Sequence, residues 1–240
     1  MATVTAIIPT YNRYSYLLNA IASVRAQTYP CKEIIVVNDG STQADYTDAS
    51  FGDDVRLINL PVNSRNIIGF PCNGYTRTVG MKLATGDYIA FLDDDDIWLP
   101  HKLEKQIAAM ERTKCRMSCT EGYIGRGPFV PDTVYPLYNS HHYWKDIEAI
   151  YRRAGYRDFL IENTFPNRWT SDFINIHNCC ITSSVVIDRT LLESVGYMDN
   201  VRIGQEDWGC WKKVLQHTDC AYVAEPCFYY DLGHGHGQNY

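Results

Sequence analysis

Apolar and polar positions alternate along this chain in blocks that predict strands and helices in turn. Thr3 to Pro9 is apolar and β-branched and predicts a buried strand, followed by a polar turn at Tyr11-Asn12-Arg13. Leu17, Leu18, Ile21 and Val24 then recur on one helical face, and Tyr29-Pro30 stops that helix. Glu33 to Val37 predicts a second strand, closed by the turn residues Asn38-Asp39-Gly40-Ser41, and Val55 to Leu60 a third. Val79 and Leu83 mark a helix with Gly86 expected as its C-cap. Tyr88 to Leu92 predicts the next strand, and Leu103, Ile107 and Met110 the next helix.

Strand–helix alternation with short connections predicts an α/β fold with a mostly parallel central sheet and helices on both faces. In such sheets ligands bind at the carboxyl ends of the strands. Tyr11-Asn12, Asp39 and Asp93 to Asp96 all fall at the carboxyl ends of predicted strands. The second half is less regular. Thr120 to Asn178 is rich in Gly, Pro, Tyr, Trp and His, with a short helical piece near Trp144 to Arg153. Thr182 to Ile187 predicts a strand, Leu191-Leu192 a short helix ending at Gly196, and Asp207 the start of a helix with Trp211, Val214 and Leu215 inward. The tail Gly233 to Gly237 is expected to be flexible. The chain is expected to be one compact domain whose halves divide the work at about residues 119 and 120.

The run Asp93-Asp94-Asp95-Asp96 is the strongest chemical signal. Carboxylates this close raise one another's pKa unless a cation neutralises them. Hard divalent ions take oxygen ligands and bridge carboxylates to substrate phosphates, so Mn²⁺ or Mg²⁺ is the expected partner. A calcium loop is excluded because Ile97 and Trp98 stand where a ligand and a glycine are needed. Asp96 is expected to cap the following helix.

Composition narrows the partners. A net charge of −6 over 240 residues excludes a general nucleic-acid binder, which needs a basic stripe. The nine cysteines are scattered and odd in number, which predicts free thiols and a reducing, cytoplasmic setting. Cys115 and Cys119 lack a partner pair, so no zinc site is expected, and Cys179 and Cys180 read as core residues. No apolar run is long enough to span a membrane, and no N-terminal signal is read. The 18 tyrosines are expected mainly at half-buried positions.

Two phosphate-binding devices are missing. There is no G-x-x-x-x-G-K-[ST] loop, and the first strand runs into Pro9-Thr10-Tyr11-Asn12-Arg13 and not a G-x-G-x-x-G turn. A diphosphate would have to be held by metal and side chains. Four motifs in order, Ile7 to Arg13, Val36 to Ser41, Gly86 to Asp96, and Thr182 to Ile187 followed by Gly196 to Asp199 and Glu206-Asp207-Trp208, resemble family 2 inverting glycosyltransferases of the A-type nucleotide-diphospho-sugar fold. The resemblance covers most of the chain outside Thr120 to Asn178.

The resemblance implies a nucleotide-sugar donor, a UDP-sugar in the first instance, bound by the half at 1–119, and a glycan or glycoconjugate acceptor, bound by the half at 120–240 that also carries the catalytic base. Pro9, Thr10 and Tyr11 would line the base and ribose pocket, with Arg13 beside them, and Asp39 would accept from a pyrimidine imide. Asp93 and Asp95 fill the two acidic positions of the D-x-D element. Asp95 is the expected metal ligand, with Asp93 on the ribose or the metal's waters and Asp94 sharing the work. His234 or His236 would supply a late metal ligand. Asp207, next to Glu206, would be the general base. The motif Ala-Arg-Asn of the family reads Thr76-Arg77-Thr78 here, which keeps the cation at Arg77 and loses the asparagine. Arg65 is a second candidate for a phosphate, and Trp169 is the expected acceptor-stacking ring, ahead of Trp208 and Trp211. Two rival readings are a sugar-nucleotide pyrophosphorylase, which needs a glycine-rich basic loop after the first strand, and a non-catalytic nucleotide-sugar or glycan-binding module, which would have lost the acids that this chain keeps.

Overall fold

The computed structural model describes residues 2–160, 164–202 and 205–234. Among them, one mixed sheet of nine strands runs through the molecule. Its first part is parallel: β3 (Val55–Asn59), β2 (Glu33–Asn38), β1 (Val4–Thr10) and β4 (Tyr88–Phe91) lie side by side, with Ile7 of β1 opposite both Ile35 and Phe91. The sheet then changes character. β8 (Val186–Asp188) is antiparallel to both β4 and β6 (Met117–Gly125), and β9 (Cys220–Asp231) is parallel to β6. β5 (Ile97–Trp98) and β7 (Arg168–Trp169) both pair antiparallel with β9. The expected parallel pairing holds throughout β1 to β4 and returns in the β6–β9 pair, with antiparallel pairs at β8, β5 and β7.

Side-chain alternation on the buried strands builds two cores. Ile7, Ile35, Val37, Ile89 and Phe91 face one way, against α3 (Asn73–Leu83), α5 (Trp144–Arg153) and α8 (Glu206–Val214). Val4, Ala6, Ile8, Ile34, Val36, Ala90 and Leu92 face the other way, against α1 (Tyr14–Arg25) and α4 (Lys102–Thr113). Helices thus cover both faces. On α1 the inward stripe is Leu17, Ala20, Ile21 and Val24, whereas Leu18 is exposed. A continuous apolar run contains more apolar residues than one helical face can bury, so its register could not be read from hydrophobicity alone.

Several sequence expectations change in physical detail. Gly86 does not cap α3, which ends on Ala84. A Cβ at Gly86 would stand 2.7 Å from the Thr5 backbone nitrogen, so this glycine allows the chain to pass close to β1. Thr182 to Ile187 is only partly strand, since Thr182–Ser184 forms a 3-10 turn before β8. The segment read as irregular from Thr120 begins inside β6, and Gly122 there lets the Phe228 ring of β9 lie against the strand. The boundary drawn between residues 119 and 120 falls within that strand. No helix among the described residues is long and apolar enough to cross a membrane.

Candidate active site

The carboxyl ends of β1, β2 and β4 open on one edge, where the polar clusters gather. Beyond β4 the chain turns, with Asp96 N donating to Asp93 O, and the four aspartates alternate in direction. Asp93 and Asp95 keep 25% and 15% of their side chains exposed, whereas Asp94 and Asp96 are fully buried. Asp93 and Asp95 line a cavity of about 530 Å³. The expected D-x-D spacing is thus realised as two cavity-facing acids separated by one that turns inward.

The inward pair is structural. Asp94 Oδ1 lies 3.2 Å from Arg13 Nη1, and burial and then the charge of Asp95 push its carboxyl up to about 7. Asp96 accepts from Ser183 Oγ at 2.5 Å and from the Asp231 backbone N–H at 3.1 Å. Burial raises its pKa well above the usual carboxylate range. The expectation that Asp96 caps the next helix is overturned: β5 intervenes, α4 starts only at Lys102, and the carboxyl ties the aspartate turn to the segments before β8 and at the end of β9.

Two arginines hold the acids in place. Arg13, at the start of α1, also reaches Asp95 Oδ2 at 2.7 Å and lines the cavity. Arg77, on α3 and only 4% exposed, donates to Asp93 through Nη2 and to Glu206 Oε1 through Nη1 at 3.1 Å. Arg77 therefore joins the aspartate turn to the start of α8. Glu206 is consumed by this contact and is buried, whereas its neighbour Asp207 lines the cavity. Asp207 accepts from Thr182 Oγ1 at 2.9 Å and from Asn178 Nδ2 at 3.4 Å, and its own helix contributes the Trp208 N–H. Burial, and then the charge of Glu206, raise its pKa above the usual range.

The remaining nucleotide-side residues cluster beside this cavity. Pro9 and Thr10 end β1 and are buried, with Thr10 Oγ1 2.6 Å from Tyr46 OH. Tyr11 lines a separate shallow cleft with Arg13, Tyr14 and Gln43. Asp39 is 1% exposed and accepts from Ser64 N and Oγ and from Asn63 Nδ2, so it fastens the loop after β2 to α2 (Ser64–Ile68). Burial raises its pKa despite those donors. Arg65 is exposed on α2 and does not line the cavity. His236 and the side chain of His234 lie outside the described residues.

The far wall lies in the half expected from the sequence to bind the acceptor, although its residues were not singled out there. It comes from a five-residue π-helical turn at Tyr138–His142, from α5, and from the 177–182 segment, which contribute Tyr138, Tyr143, Asp146, Ile147, Ile150, His177 and Asn178. The available signal was the helical spacing of Ile147, Ile150 and Tyr151. Burial pushes the His177 imidazole below its usual pKa, so it meets the cavity neutral near pH 7. One buried carboxylate shapes this wall: Glu121 of β6 accepts from Asn139 N, Ser140 N, Ser140 Oγ and Tyr222 OH. Trp169 is a correction. It is 0% exposed and stacks on Tyr222 with ring centroids 4.2 Å apart, so it cannot meet an acceptor. Trp211 is buried as expected, and Trp208 is half-buried with its indole N–H on Ile174 O at 2.7 Å.

Comparisons with known proteins bear on the fold and the family. The chain is 38% identical over 215 residues to a Rickettsia bellii protein described as an uncharacterized glycosyltransferase, covering 84% of this chain and 29% of that one. It is 27% identical over 219 residues to UDP-Glc:alpha-D-GlcNAc-diphosphoundecaprenol beta-1,3-glucosyltransferase WfaP of Escherichia coli, covering 90% of this chain and 71% of that one. This chain therefore spans less than a third of the Rickettsia protein. Its fold matches that of residues 1–349 of S. aureus TarS in complex with UDP-GlcNAc, with a TM-score of 0.67 at 18% identity, over 99% of this chain and 61% of that one. The family model described as glycosyl transferase family 2 matches residues 5–188. The A-type glycosyltransferase fold and the family agree, and the chain belongs to glycosyl transferase family 2.

Proposed function

We propose that this protein transfers a sugar from a nucleoside-diphosphate donor, a UDP-sugar, to a hydroxyl of a glycan or glycoconjugate acceptor, with a divalent ion and with inversion at the anomeric carbon. The observation that carries this reading is one cavity bounded by Asp93 and Asp95 and also by Asp207. Inverting transfer needs negative charge neutralised where the diphosphate leaves and a base where the acceptor attacks. The name of WfaP and the UDP-GlcNAc complex of TarS favour a uridine donor.

The donor set suits a hard ion, since Asp93 and Asp95 present carboxylate oxygens to the cavity. These two residues would hold Mn²⁺ or Mg²⁺, which when bound neutralises charge on the departing diphosphate. Arg13 and Arg77 orient the two carboxylates. Tyr11, in the cleft beside the cavity, would line the base and ribose side, with Pro9 and Thr10 buried behind it. Asp39 retains lone-pair capacity for an imide N–H beside its contacts to Asn63 and Ser64. Asp207 takes the proton from the acceptor hydroxyl; its raised pKa improves it as a base. The wall of Tyr138, Tyr143, Ile147 and Ile150 offers flat and apolar surface to the acceptor.

The test is a panel of nucleotide sugars, with hydrolysis and transfer measured with and without Mn²⁺. A metal-dependent response to UDP-sugars is expected, lost in Asp95→Ala. Asp207→Asn should bind UDP and fail to transfer. Full transfer by that variant would remove Asp207 from its role, and a silent panel would leave only a binding module.

A further inference from the structure

Outside the cavity, three cysteines from distant parts of the chain meet in the core. Cys119 comes from β6, Cys180 from the segment before the 182–184 turn, and Cys220 from the start of β9. Their sulfurs all lie within 4.8 Å of one another, and the Cys119–Cys220 pair is 3.4 Å apart. All three residues are 0% exposed. Two sulfurs on one centre at a metal–thiolate bond length of ~2.3 Å can be at most about 4.6 Å apart, so small rotamer changes would bring all three onto one atom.

We propose that Cys119, Cys180 and Cys220 form a trithiol site for a trivalent thiophilic metalloid, of which arsenite is the probe. Ligand number, burial and charge select this class. Structural zinc takes four ligands, but the neighbouring Cys179 is engaged with Tyr151 OH and these sulfurs are closed to water. A divalent ion on three thiolates leaves a net negative charge. Among the described residues no Lys, Arg or His hydrogen-bonds these sulfurs to offset it. A trivalent centre on three thiolates is neutral and needs no fourth ligand. The step is As(OH)₃ plus three thiols giving As(S-Cys)₃ and three waters: three As–O bonds and three S–H bonds break, three As–S bonds and three O–H bonds form, and no electrons are transferred. The site also adjoins the catalytic wall, because Asn178 and Thr182, which flank Cys180, both hold Asp207.

The full chain, kept reduced with a phosphine, would be incubated with arsenite for hours, desalted, and analysed by native mass spectrometry and arsenic X-ray absorption. The expected result is one arsenic per chain, bound to three sulfurs, with the mass of one arsenic gained and three hydrogens lost. Retention should fall at least tenfold in Cys119→Ala, Cys180→Ala and Cys220→Ala, and be unchanged in Cys72→Ala. No retained arsenic on the native chain, or equal retention by the three alanine variants, would overturn the proposal. If those variants fail to fold, the wild-type spectrum decides: fewer than three sulfur neighbours overturns it.

Discussion

Arg77 Nη1 lies 3.1 Å from Glu206 Oε1, with 4% and 7% of the two side chains exposed, so a buried ion pair joins α3 to the first turn of α8. Removing Arg77 leaves Glu206 charged in the interior without this partner and also takes the guanidinium from Asp93. Arg77→Met is predicted to cost about 3–5 kcal/mol, whereas the double variant Arg77→Met/Glu206→Gln should recover part of that loss. Urea denaturation of both single variants and the double variant measures the coupling. Additive losses would mean that the pair does not bind the two helices together.

Glu206 also sets the proton affinity of its neighbour. Burial and then the Glu206 charge raise the pKa of Asp207. A base works deprotonated, so transfer should fall as pH drops through this raised value, earlier than for an ordinary carboxylate. Glu206→Gln removes the repulsion and should move the acid limb of kcat/KM to lower pH. Asp207→Asn should lose about 10²–10⁴-fold in kcat. An acid limb that stays in place in Glu206→Gln would argue against Asp207 as the titrating group.

Lys102 offers a stability test far from the cavity. It is 0% exposed, bonded to Gln106 Oε1 at 2.7 Å, with its ammonium 4.3 Å from the Trp98 ring. Burial lowers its pKa to about 7. The unfolded chain, with a lysine near 10.4, binds more protons between these values, so this residue makes stability rise with pH from about 7 to about 10. Below about 7 its destabilising contribution is complete. Lys102→Met should be more stable than the parent at neutral pH, by a few kcal/mol at most, with a flatter dependence above it. Denaturation at several pH values compares the two slopes.

Trp169 provides a negative control for acceptor recognition. Its ring is stacked on Tyr222 and its indole N–H has no partner. Trp169→Ala is predicted to cost about 3–5 kcal/mol through the cavity it leaves. Trp169→Phe should cost less, because it also removes the unsatisfied N–H. Acceptor KM should be unchanged in the phenylalanine variant, and a raised KM would return this residue to the acceptor site.

The legible parts of the sequence were those where one pattern had one physical meaning. β1, β2 and β4 are buried on both faces and read as continuous apolar runs, and the polar residues after them could only lie at a sheet edge. α5 was read at its observed ends, Trp144 and Arg153. β9 was missed because Glu225 and Pro226 interrupt it where its register against β6 shifts. Trp169 was misjudged because an aromatic residue in an irregular stretch carries no mark of whether a later strand will cover it. Four identical residues in a turn do not by themselves show which way each points; the resemblance singled out Asp93 and Asp95, and these two face the cavity. The trithiol eluded sequence reading for a similar reason: Cys119 and Cys220 are 101 residues apart.

Glu121 has a consequence for how tightly an acceptor can be held. Its carboxylate gathers donors from Asn139, Ser140 and Tyr222 and so fixes the π-helical turn that carries Tyr138. The conformational freedom of that wall is surrendered when the chain folds. On the proposed reading an acceptor would meet rings already at rest, and less of its contact energy would be spent in quieting them.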